Sequence, residues 1–213
     1  MANLGLKERY DFQQWIIKDL KDKNGYIQRD NAQYNPRLAM DVELLWDFLM
    51  ETQEETMDYL LKKLSKETII TLINKEIVKG GFLFALKEGV FIENKQLRLL
   101  YRKPATSFNE KAVQQYQANR LSVIEEVVYE EGGRIDLVIF INGLALFAIE
   151  LKFNPSGQSV QDAIKQLKGR NPNNRLFRFE QGVLASFAVD TMEIYMTTQL
   201  KGQETYFLPF NMG

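Results

Sequence analysis

One stretch constrains the fold of this chain more than any other: residues 134–152 contain two apolar segments joined by Asn142-Gly143. An Asn-Gly pair between apolar runs is the strongest short-range signal for a β-hairpin with a two-residue turn. Successive side chains of a strand point to opposite faces, so Glu150 and Lys152 share one face while Leu151 points to the other. We therefore predict a hairpin that carries charged side chains at the end of its second strand.

The predicted hairpin brings a third charge to the same end. Asp136 lies six residues before Asn142, and Glu150 lies seven residues after Gly143, so a bulge or a diagonal contact has to absorb a difference of one residue. Two carboxylates and the ammonium group of Lys152 would then converge at one end of an apolar sheet. Burying charges is costly unless they are paired or hold a metal ion. This arrangement favours a functional site over the alternative, a salt bridge on a solvated strand face.

The absence of two residue types narrows the possible chemistry. The chain has no histidine and no cysteine, which excludes His-based triads, thiolate nucleophiles, disulfides and zinc sites built on imidazole or sulfur. Carboxylate, lysine, hydroxyl and amide groups remain, and oxygen ligands suit hard cations such as Mg²⁺ or Mn²⁺. The formal net charge of −1 gives no overall basic field for nucleic acid. Any contact with DNA therefore needs a local basic strip or another polypeptide.

Length and composition indicate a soluble globular chain. With 213 residues, 45% of them hydrophobic, the chain is long enough for a sizeable core. We expect one domain with a mainly helical part at 1–80 and a sheet core at 81–213. The apolar runs are too short to cross a bilayer, and the first residues lack the apolar centre of a secretory signal. A cytoplasmic location is therefore expected.

The hydrophobic patterns predict helices mainly in the first part of the chain and strands mainly in the second. Helices are expected at 7–22, across 38–79 with a break near Thr52-Gln53, at 108–119 and at 159–169. Besides the hairpin, strands are expected at 82–86, 90–92, 97–101, 121–130, 183–189, 193–198 and 205–208. This order predicts an α/β (α+β) fold in which a mixed β-sheet is flanked by helices.

A run of basic residues follows the hairpin. No acidic residue occurs between Ala163 and Phe179, and the run contains Lys165, Lys168, Arg170, Arg175 and Arg178. A solvated helix face is the plain explanation for such a run. Its position after an acidic candidate metal site favours binding to a phosphate backbone. The sequence therefore predicts that these five residues bind DNA.

The charged residues of the hairpin also match a known signature. Asp136 followed by Glu150-Leu151-Lys152 resembles the PD-(D/E)xK nuclease signature, with Ile135 where the signature has proline. The whole segment 135–152 resembles the amino-terminal nuclease domain of the R (restriction, or motor) subunit of type I restriction-modification enzymes. Weaker similarities to this family occur at Gly25-Tyr26, Phe48-Leu49, Thr52-Gln53, Asn119-Arg120-Leu121-Ser122-Val123 and Phe207-Leu208-Pro209-Phe210-Asn211. The resemblance implies a restriction-endonuclease-like core.

The resemblance implies roles for the hairpin residues. Asp136, Glu150 and the main-chain carbonyl of Leu151 would bind Mg²⁺, for which Mn²⁺ is a possible substitute. Lys152 would orient the attacking water or stabilise the developing charge. These four residues are the expected centre of the site.

Two further positions differ from the family pattern. Gln166 matches the first residue of a Gln-x-x-x-Tyr motif and is expected to take part in catalysis, but Arg170 stands where the motif has tyrosine. The family often has a glutamate in its first helix near the metal, and Gln13 is the counterpart here. An amide is a weaker ligand than a carboxylate, so we expect a site for a single metal ion.

The family implies ATP-dependent cleavage of double-stranded DNA by a complex with specificity and methyltransferase subunits. The 213 residues contain no Gly-x-x-x-x-Gly-Lys-[Ser/Thr] loop for nucleotide phosphates. ATP is therefore expected to act in a motor domain elsewhere, with this chain as a fragment of a larger subunit. Two alternatives stay open. One is a non-catalytic DNA-binding or docking module whose charges are structural, and the other is a related nuclease that acts in DNA repair.

Overall fold

The structure, a computed structural model, describes residues 2–210 and the side chains of residues 10–210. Within this range, nine strands form one mixed β-sheet, and seven α-helices and a separate two-stranded hairpin surround it. The predicted mixed sheet flanked by helices is confirmed, and the architecture is that of a restriction-endonuclease-like α/β fold. Asn211, the last residue of the terminal similarity, lies outside the described residues.

Most helices precede the central strands. The helices are α1 (Ala2–Asn24), α2 (Val42–Thr52), α3 (Glu54–Leu61), α4 (Lys66–Gly80), α5 (Phe82–Glu88), α6 (Glu110–Gln117) and α7 (Val160–Lys168). The strands are β1 (Ile27–Arg29), β2 (Tyr34–Asn35), β3 (Met40–Asp41), β4 (Val90–Ile92), β5 (Lys95–Leu97), β6 (Leu121–Glu130), β7 (Gly133–Ile141), β8 (Leu144–Leu151), β9 (Ala185–Val189), β10 (Ile194–Thr197) and β11 (Leu208–Pro209). Among the residues described, no helix combines the length and apolar composition needed to span a membrane.

The centre of the sheet is an antiparallel meander of β6, β7 and β8. The sheet order is β1-β6-β7-β8-β9-β10-β11, and β3 also pairs with β8. Strand β9 pairs with β8 in parallel, and a parallel pair needs a crossover connection. Helix α7 lies in that connection, so the end of β8 leads directly into the segment that carries this helix.

The sheet packs against different helices on its two faces. On one face, Ile17 of α1 belongs to a buried cluster with Val123, Leu137, Ile139 and Leu151. On the other face, α7 contributes Val160, Ala163 and Leu167 to a cluster with Val138, Phe140 and Ala148. Because Leu151 packs toward α1, its neighbours in β8 and just after it, Glu150 and Lys152, point toward α7.

The Asn142-Gly143 turn is buried against the helical part of the chain. Both residues have positive φ, 50° and 79°, as a two-residue hairpin turn of type I′ requires. The fully buried Asn142 side chain accepts a hydrogen bond from the N–H of Arg120 (2.7 Å) and donates one to the carbonyl of Leu99 (3.0 Å). The predicted turn is confirmed, and it also joins the hairpin to its neighbours.

Residues 82–86, predicted as a strand, belong to helix α5 instead. The buried side chains Phe82, Ala85 and Leu86 have the three- and four-residue spacing of a helix. Gly89, whose φ is 79°, ends the helix. The strand prediction was wrong because it relied on apolar content, which does not separate a strand from a buried helix in so short a run.

Only the first residue of the predicted strand 97–101 lies in β5. The main chain beyond it is paired with side-chain amides in place of a neighbouring strand. Gln53 accepts from the N–H of Arg98 (2.7 Å) and donates to its carbonyl (2.9 Å). Asn119 makes the same pair of bonds with Tyr101, at 3.1 and 2.7 Å. The strand prediction here was wrong because these amides satisfy the main-chain groups that a partner strand would otherwise bind.

Short strands at both ends of the chain differ from expectation. Strands β1, β2 and β3 all precede residue 42 and join the main sheet, so the amino-terminal helical part also contributes strands. Such strands have two or three residues, too few for an alternating pattern to be recognised. The predicted strand 205–208 overlaps β11 only at Leu208.

Replacing Gly143 by alanine is expected to destabilise the protein strongly. An added Cβ would lie 2.3 Å from the carbonyl oxygen of Asp41 and 2.6 Å from the nitrogen of Leu45. We expect Gly143→Ala to lower the free energy of unfolding by roughly 2–5 kcal/mol, measured by urea denaturation. Gly25→Ala is the control, because Gly25 also has positive φ but no atom lies within 4 Å of the added Cβ; it should cost about 1–2 kcal/mol. Equal losses in the two variants would contradict the close packing at Gly143.

Candidate active site

The register of the central hairpin brings its two carboxylates together. Leu137 pairs with Ile149, so Asp136 and Glu150 occupy neighbouring positions on β7 and β8. An irregularity in the pairing nearer the turn absorbs the one-residue mismatch between the two strands. The Oδ2 atom of Asp136 accepts a hydrogen bond from the N–H of Leu151 at 2.7 Å. This bond fixes the Asp136 carboxylate against the end of β8.

Glu150 is the most deeply buried charge of the site. Its side chain has no solvent exposure, and its two oxygens contact two cations: Oε1 accepts from Nζ of Lys152 at 3.1 Å, and Oε2 accepts from Nη2 of Arg170 at 2.8 Å. Burial, followed by the negative charge of Asp136, raises the pKa of Glu150, whereas Lys152 and Arg170 oppose this rise. The carboxylate is therefore held in a low-dielectric environment by a pair of compensating charges.

Helix α7 supplies side chains that contact the hairpin. Oε1 of Gln166 accepts a hydrogen bond from Nζ of Lys152 at 2.7 Å. Arg170 follows Gln166 by four residues, which places both on the same side of the helical segment. The helix thereby contacts Lys152 through Gln166, and Arg170, two residues beyond the end of the helix, contacts Glu150. The catalytic role expected for Gln166 stays a prediction.

The sequence reasoning missed Tyr129, at the end of β6. Its hydroxyl oxygen accepts a hydrogen bond from Nη1 of Arg170 at 2.8 Å, and the guanidinium carbon lies 5.5 Å from the centre of the ring. Arg170 stands where the Gln-x-x-x-Tyr motif has tyrosine. The tyrosine hydroxyl beside Arg170 comes instead from β6. No pattern in the sequence links positions 129 and 170.

An open cleft of about 440 Å³ gives access to Asp136. Its wall is formed by the β6–β7 turn, the start of β7 and α7, through Val128, Gly132, Gly133, Arg134, Gln166 and Arg170. A neighbouring cleft of about 560 Å³ shares part of this wall and reaches Lys165. The sequence reasoning also missed Arg134. It lies two residues before Asp136, so the alternation of side chains along β7 places the two on the same face.

The donor atoms fit a hard divalent cation. Asp136 and Glu150 provide carboxylate oxygens, and Leu151 provides a main-chain carbonyl at the same strand end. In the part of the chain that the structure describes, no three carboxylate, imidazole or thiolate side chains come together. A cation bound here would therefore complete its shell with water, as Mg²⁺ commonly does in proteins. Such a shell is compatible with a site for one ion.

The amide of Gln13 is bound to a different carboxylate. Its Nε2 donates to Oε2 of Glu125 at 3.0 Å, and the amides of Gln14 and Gln28 donate to the same carboxylate at 2.6 and 3.2 Å. These contacts join α1, β1 and β6. Gln13 therefore holds α1 against the sheet. The expectation of a single metal ion stays a prediction.

The basic residues of the predicted DNA-binding run have different environments. Lys165 is exposed beside the cleft, and Lys168 is partly exposed. Arg178 is exposed and donates to a neighbouring carbonyl. Arg175 instead donates to Oδ1 of Asn74 at 2.9 Å, and burial lowers its pKa. Arg175 therefore joins the loop after α7 to α4, while the lysines remain accessible to a ligand.

The chain matches the model of the family described as "Type I restriction enzyme R protein N terminus" over residues 7–205. This range includes the central hairpin, α7 and the basic run that follows it. No curated protein matches the chain.

Asp190 fixes the beginning of α7 relative to the sheet. Its buried carboxylate accepts hydrogen bonds from the N–H groups of Val160 (2.7 Å), Met192 (2.8 Å) and Glu193 (2.8 Å). Burial acts to raise the pKa of Asp190, but these main-chain donors together hold the pKa below its ordinary value. The charged form is therefore the one that stabilises the fold.

Asp190→Asn is expected to lower the free energy of unfolding by about 1–3 kcal/mol at pH 7, because hydrogen bonds to a charged acceptor are lost. A depressed pKa in the folded state means that this contribution is complete above the unfolded pKa, about 4, and is lost as the pH falls through the lower folded pKa. Urea denaturation of both proteins at pH 7 and pH 3 measures the difference. An equal difference at the two pH values would contradict the role given to the charge.

Proposed function

The chain belongs to the family of the type I restriction enzyme R protein N terminus, and from this premise we propose that it is a Mg²⁺-dependent endonuclease domain. The proposed reaction is hydrolysis of phosphodiester bonds in double-stranded DNA within an ATP-dependent restriction complex. The observation that carries the proposal is the meeting of Asp136, Glu150 and Lys152 at one end of a buried hairpin, beside an open cleft. Burial of three charges at one place is expensive for the fold, which supports a function for them.

Asp136, Glu150 and the Leu151 carbonyl would hold the cation. When bound, Mg²⁺ supplies an activated water at neutral pH and neutralises charge on the scissile phosphate. The hydrogen bond from the Leu151 N–H holds the Asp136 carboxylate at the end of β8. Asp136 lines the open cleft, whereas Glu150 has no exposure. DNA would therefore approach from the side of Asp136.

Lys152 is the side chain proposed to contact the attacking water or the scissile phosphate directly. Its ammonium group is held between Glu150 at 3.1 Å and Gln166 at 2.7 Å. A fixed ammonium group beside the metal ligands can orient a water molecule and stabilise the negative charge that develops on the phosphate. Gln166 is then a positioning residue, because it acts through Lys152.

DNA binding is proposed for the accessible members of the basic run. Lys165, Lys168 and Arg178 have exposed or partly exposed side chains, and phosphate contacts from such residues set the position of DNA without reading its sequence. Recognition of a target sequence would then belong to the specificity subunit. The methyltransferase subunits and the ATP-driven motor would act in the same complex, outside the chemistry of this site.

One observation favours a different function, a non-catalytic DNA-binding or docking module. Both oxygens of Glu150 are already bound by Lys152 and Arg170, so the charges can be read as a structural network. A buried ion network of this kind fixes neighbouring elements without any ligand. The two functions differ in whether the site binds a divalent cation, and this difference can be measured.

Asp136→Asn is expected to abolish specific Mn²⁺ binding by the isolated chain and DNA cleavage by the assembled complex. The substitution keeps the shape of the side chain but removes a charged ligand from the cleft. Isothermal titration with Mn²⁺ measures the first effect, and cleavage of plasmid DNA at a fixed protein concentration measures the second. Asp58→Asn, at an exposed position of α3, is the control and should retain both.

Full cleavage by Asp136→Asn would exclude the nuclease assignment. Absence of Mn²⁺ binding by the wild-type chain, together with normal DNA binding, would support the docking module instead. Circular dichroism spectra of wild type and variant confirm that the fold is unchanged in each comparison.

Lys165→Gln is expected to weaken binding of the chain to duplex DNA to a similar extent for all sequences. Loss of one phosphate contact should reduce the slope of log Kd against log salt concentration by about one. Fluorescence anisotropy at several salt concentrations measures this slope. Lys62→Gln, at an exposed position after α3, should leave the slope unchanged; an equal change in both variants would show that the cleft side is not the DNA-binding surface.

A further inference from the structure

Arg170 is held in place from several directions. Besides its bond to Glu150, it donates to the Tyr129 hydroxyl and lies over the Tyr129 ring. That ring is itself buried, with its edge against Phe177 at a centroid distance of 5.0 Å. A Cβ at Gly133 would come within 2.8 Å of the ring, so the glycine allows the ring to occupy this position. The guanidinium group is therefore a fixed feature of the site and not a mobile surface charge.

The site holds its positive and negative charges close together. The Glu150 carboxylate contacts the ammonium group of Lys152 and the guanidinium group of Arg170, and the negative charge of Asp136 acts on it as well. The side chains of Lys152 and Arg170 are only 4% and 11% exposed. Water screens such charges poorly, so each strongly affects the free energy of any further charge placed nearby.

A divalent cation at Asp136 and Glu150 would be attracted by the carboxylates and repelled by both fixed cations. Lys152 has an expected role in the reaction, and Gln166 holds it. Arg170 is different, because it is bound on one side by Glu150 and on the other by Tyr129. Arg170 therefore stabilises the Glu150 carboxylate and, through its positive charge, repels a divalent cation bound to that same carboxylate.

We propose that Arg170, fixed by Tyr129, is an internal counter-ion that competes with a divalent cation for Glu150 and sets the cation affinity of the site. The inference rests on the proposed function, since it concerns the same metal site. It assigns Arg170 to the balance of charge at Glu150, in contrast to the DNA-binding role predicted from the sequence. Arg170 then has two opposite effects: it stabilises the fold by neutralising Glu150, and it lowers the affinity of the site for a divalent cation.

A purely structural Arg170 has the opposite consequence for cation binding. If the residue only held Glu150 in shape, its removal would loosen the carboxylate and weaken the binding of a cation. If it is a counter-ion, its removal increases the negative charge of the site and tightens the binding. The sign of the change in cation affinity therefore distinguishes the two roles.

The test is isothermal titration of the whole chain with Mn²⁺, combined with thermal denaturation without metal. Arg170→Gln is expected to melt at a lower temperature than wild type but to bind Mn²⁺ roughly tenfold more tightly, from the Coulomb energy of one charge at short range. Arg170→Lys keeps the charge and should bind Mn²⁺ with nearly the wild-type affinity. Arg37→Gln removes the charge of an exposed arginine to which no role in the site is given and is the matched control, with both properties unchanged.

Each outcome supports or overturns the inference. Weaker or unchanged Mn²⁺ binding by folded Arg170→Gln overturns it, as does tighter binding by Arg170→Lys to the same degree. If Arg170→Gln does not fold, Arg170→Met removes the same charge while its apolar chain still covers the Tyr129 ring, and the same expectation applies. Absence of Mn²⁺ binding by the wild-type chain would instead count against the proposed nuclease function, so the two failures are distinguishable.

Discussion

The buried charge of Glu150 is the constraint on which the arrangement of this protein depends. An ionised carboxylate without solvent exposure costs several kcal/mol unless compensating charges contact it. Lys152 comes from the end of the same strand, but Arg170 comes from the segment after α7. The second partner can be in place only if α7 lies across the sheet at the observed position. The sheet and α7 are therefore linked by electrostatics as well as by apolar packing.

The helical part of the chain is tied to the hairpin by amide side chains. Asn142 binds the main chain of Leu99 and Arg120, and its Nδ2 also donates to the side chain of Asn119 at 3.0 Å. Asn119 in turn satisfies the main chain of Tyr101. A buried amide that uses both its donor and its acceptor rigidifies the elements it connects. The weaker family similarities at Gln53 and Asn119 fall on partly buried amides that also use both donor and acceptor, which gives them a structural explanation.

The sequence was sufficient to predict the parts of the fold that have strong local signals. The Asn142-Gly143 turn, the three-strand meander and α7 follow from turn chemistry and periodicity, and each is present. The segments 82–86 and 97–101 were wrong because tertiary contacts, not local pattern, decide their conformation. Apolar content alone did not reveal that the first is a helix, and side-chain amides replace the strand partner of the second.

The candidate site was predictable only where its residues share one local element. Asp136, Glu150 and Lys152 lie on one hairpin, so strand alternation was enough to bring them together. The role of Arg170 depends on Tyr129, which lies far away in the sequence and contacts it only in the folded chain. Charge type alone also does not separate Arg175, which donates a hydrogen bond to Asn74, from Lys165 and Lys168, which are exposed and partly exposed. Burial decides which basic residues are accessible to a ligand, and a run of basic residues does not encode burial.

The confinement of the Asn142-Gly143 turn has a consequence for how the chain can vary among relatives. Hairpin turns usually lie at the surface, where extra residues are accommodated, but here Asp41 and Leu45 leave no room for even one methyl group at Gly143. An inserted residue at the β7–β8 connection would therefore disturb this packing and change the number of residues that separates Asp136 from Glu150. Among related sequences, insertions and deletions should therefore occur at open turns such as those at Gly25 and Gly202. The spacing of the two carboxylates should remain unchanged.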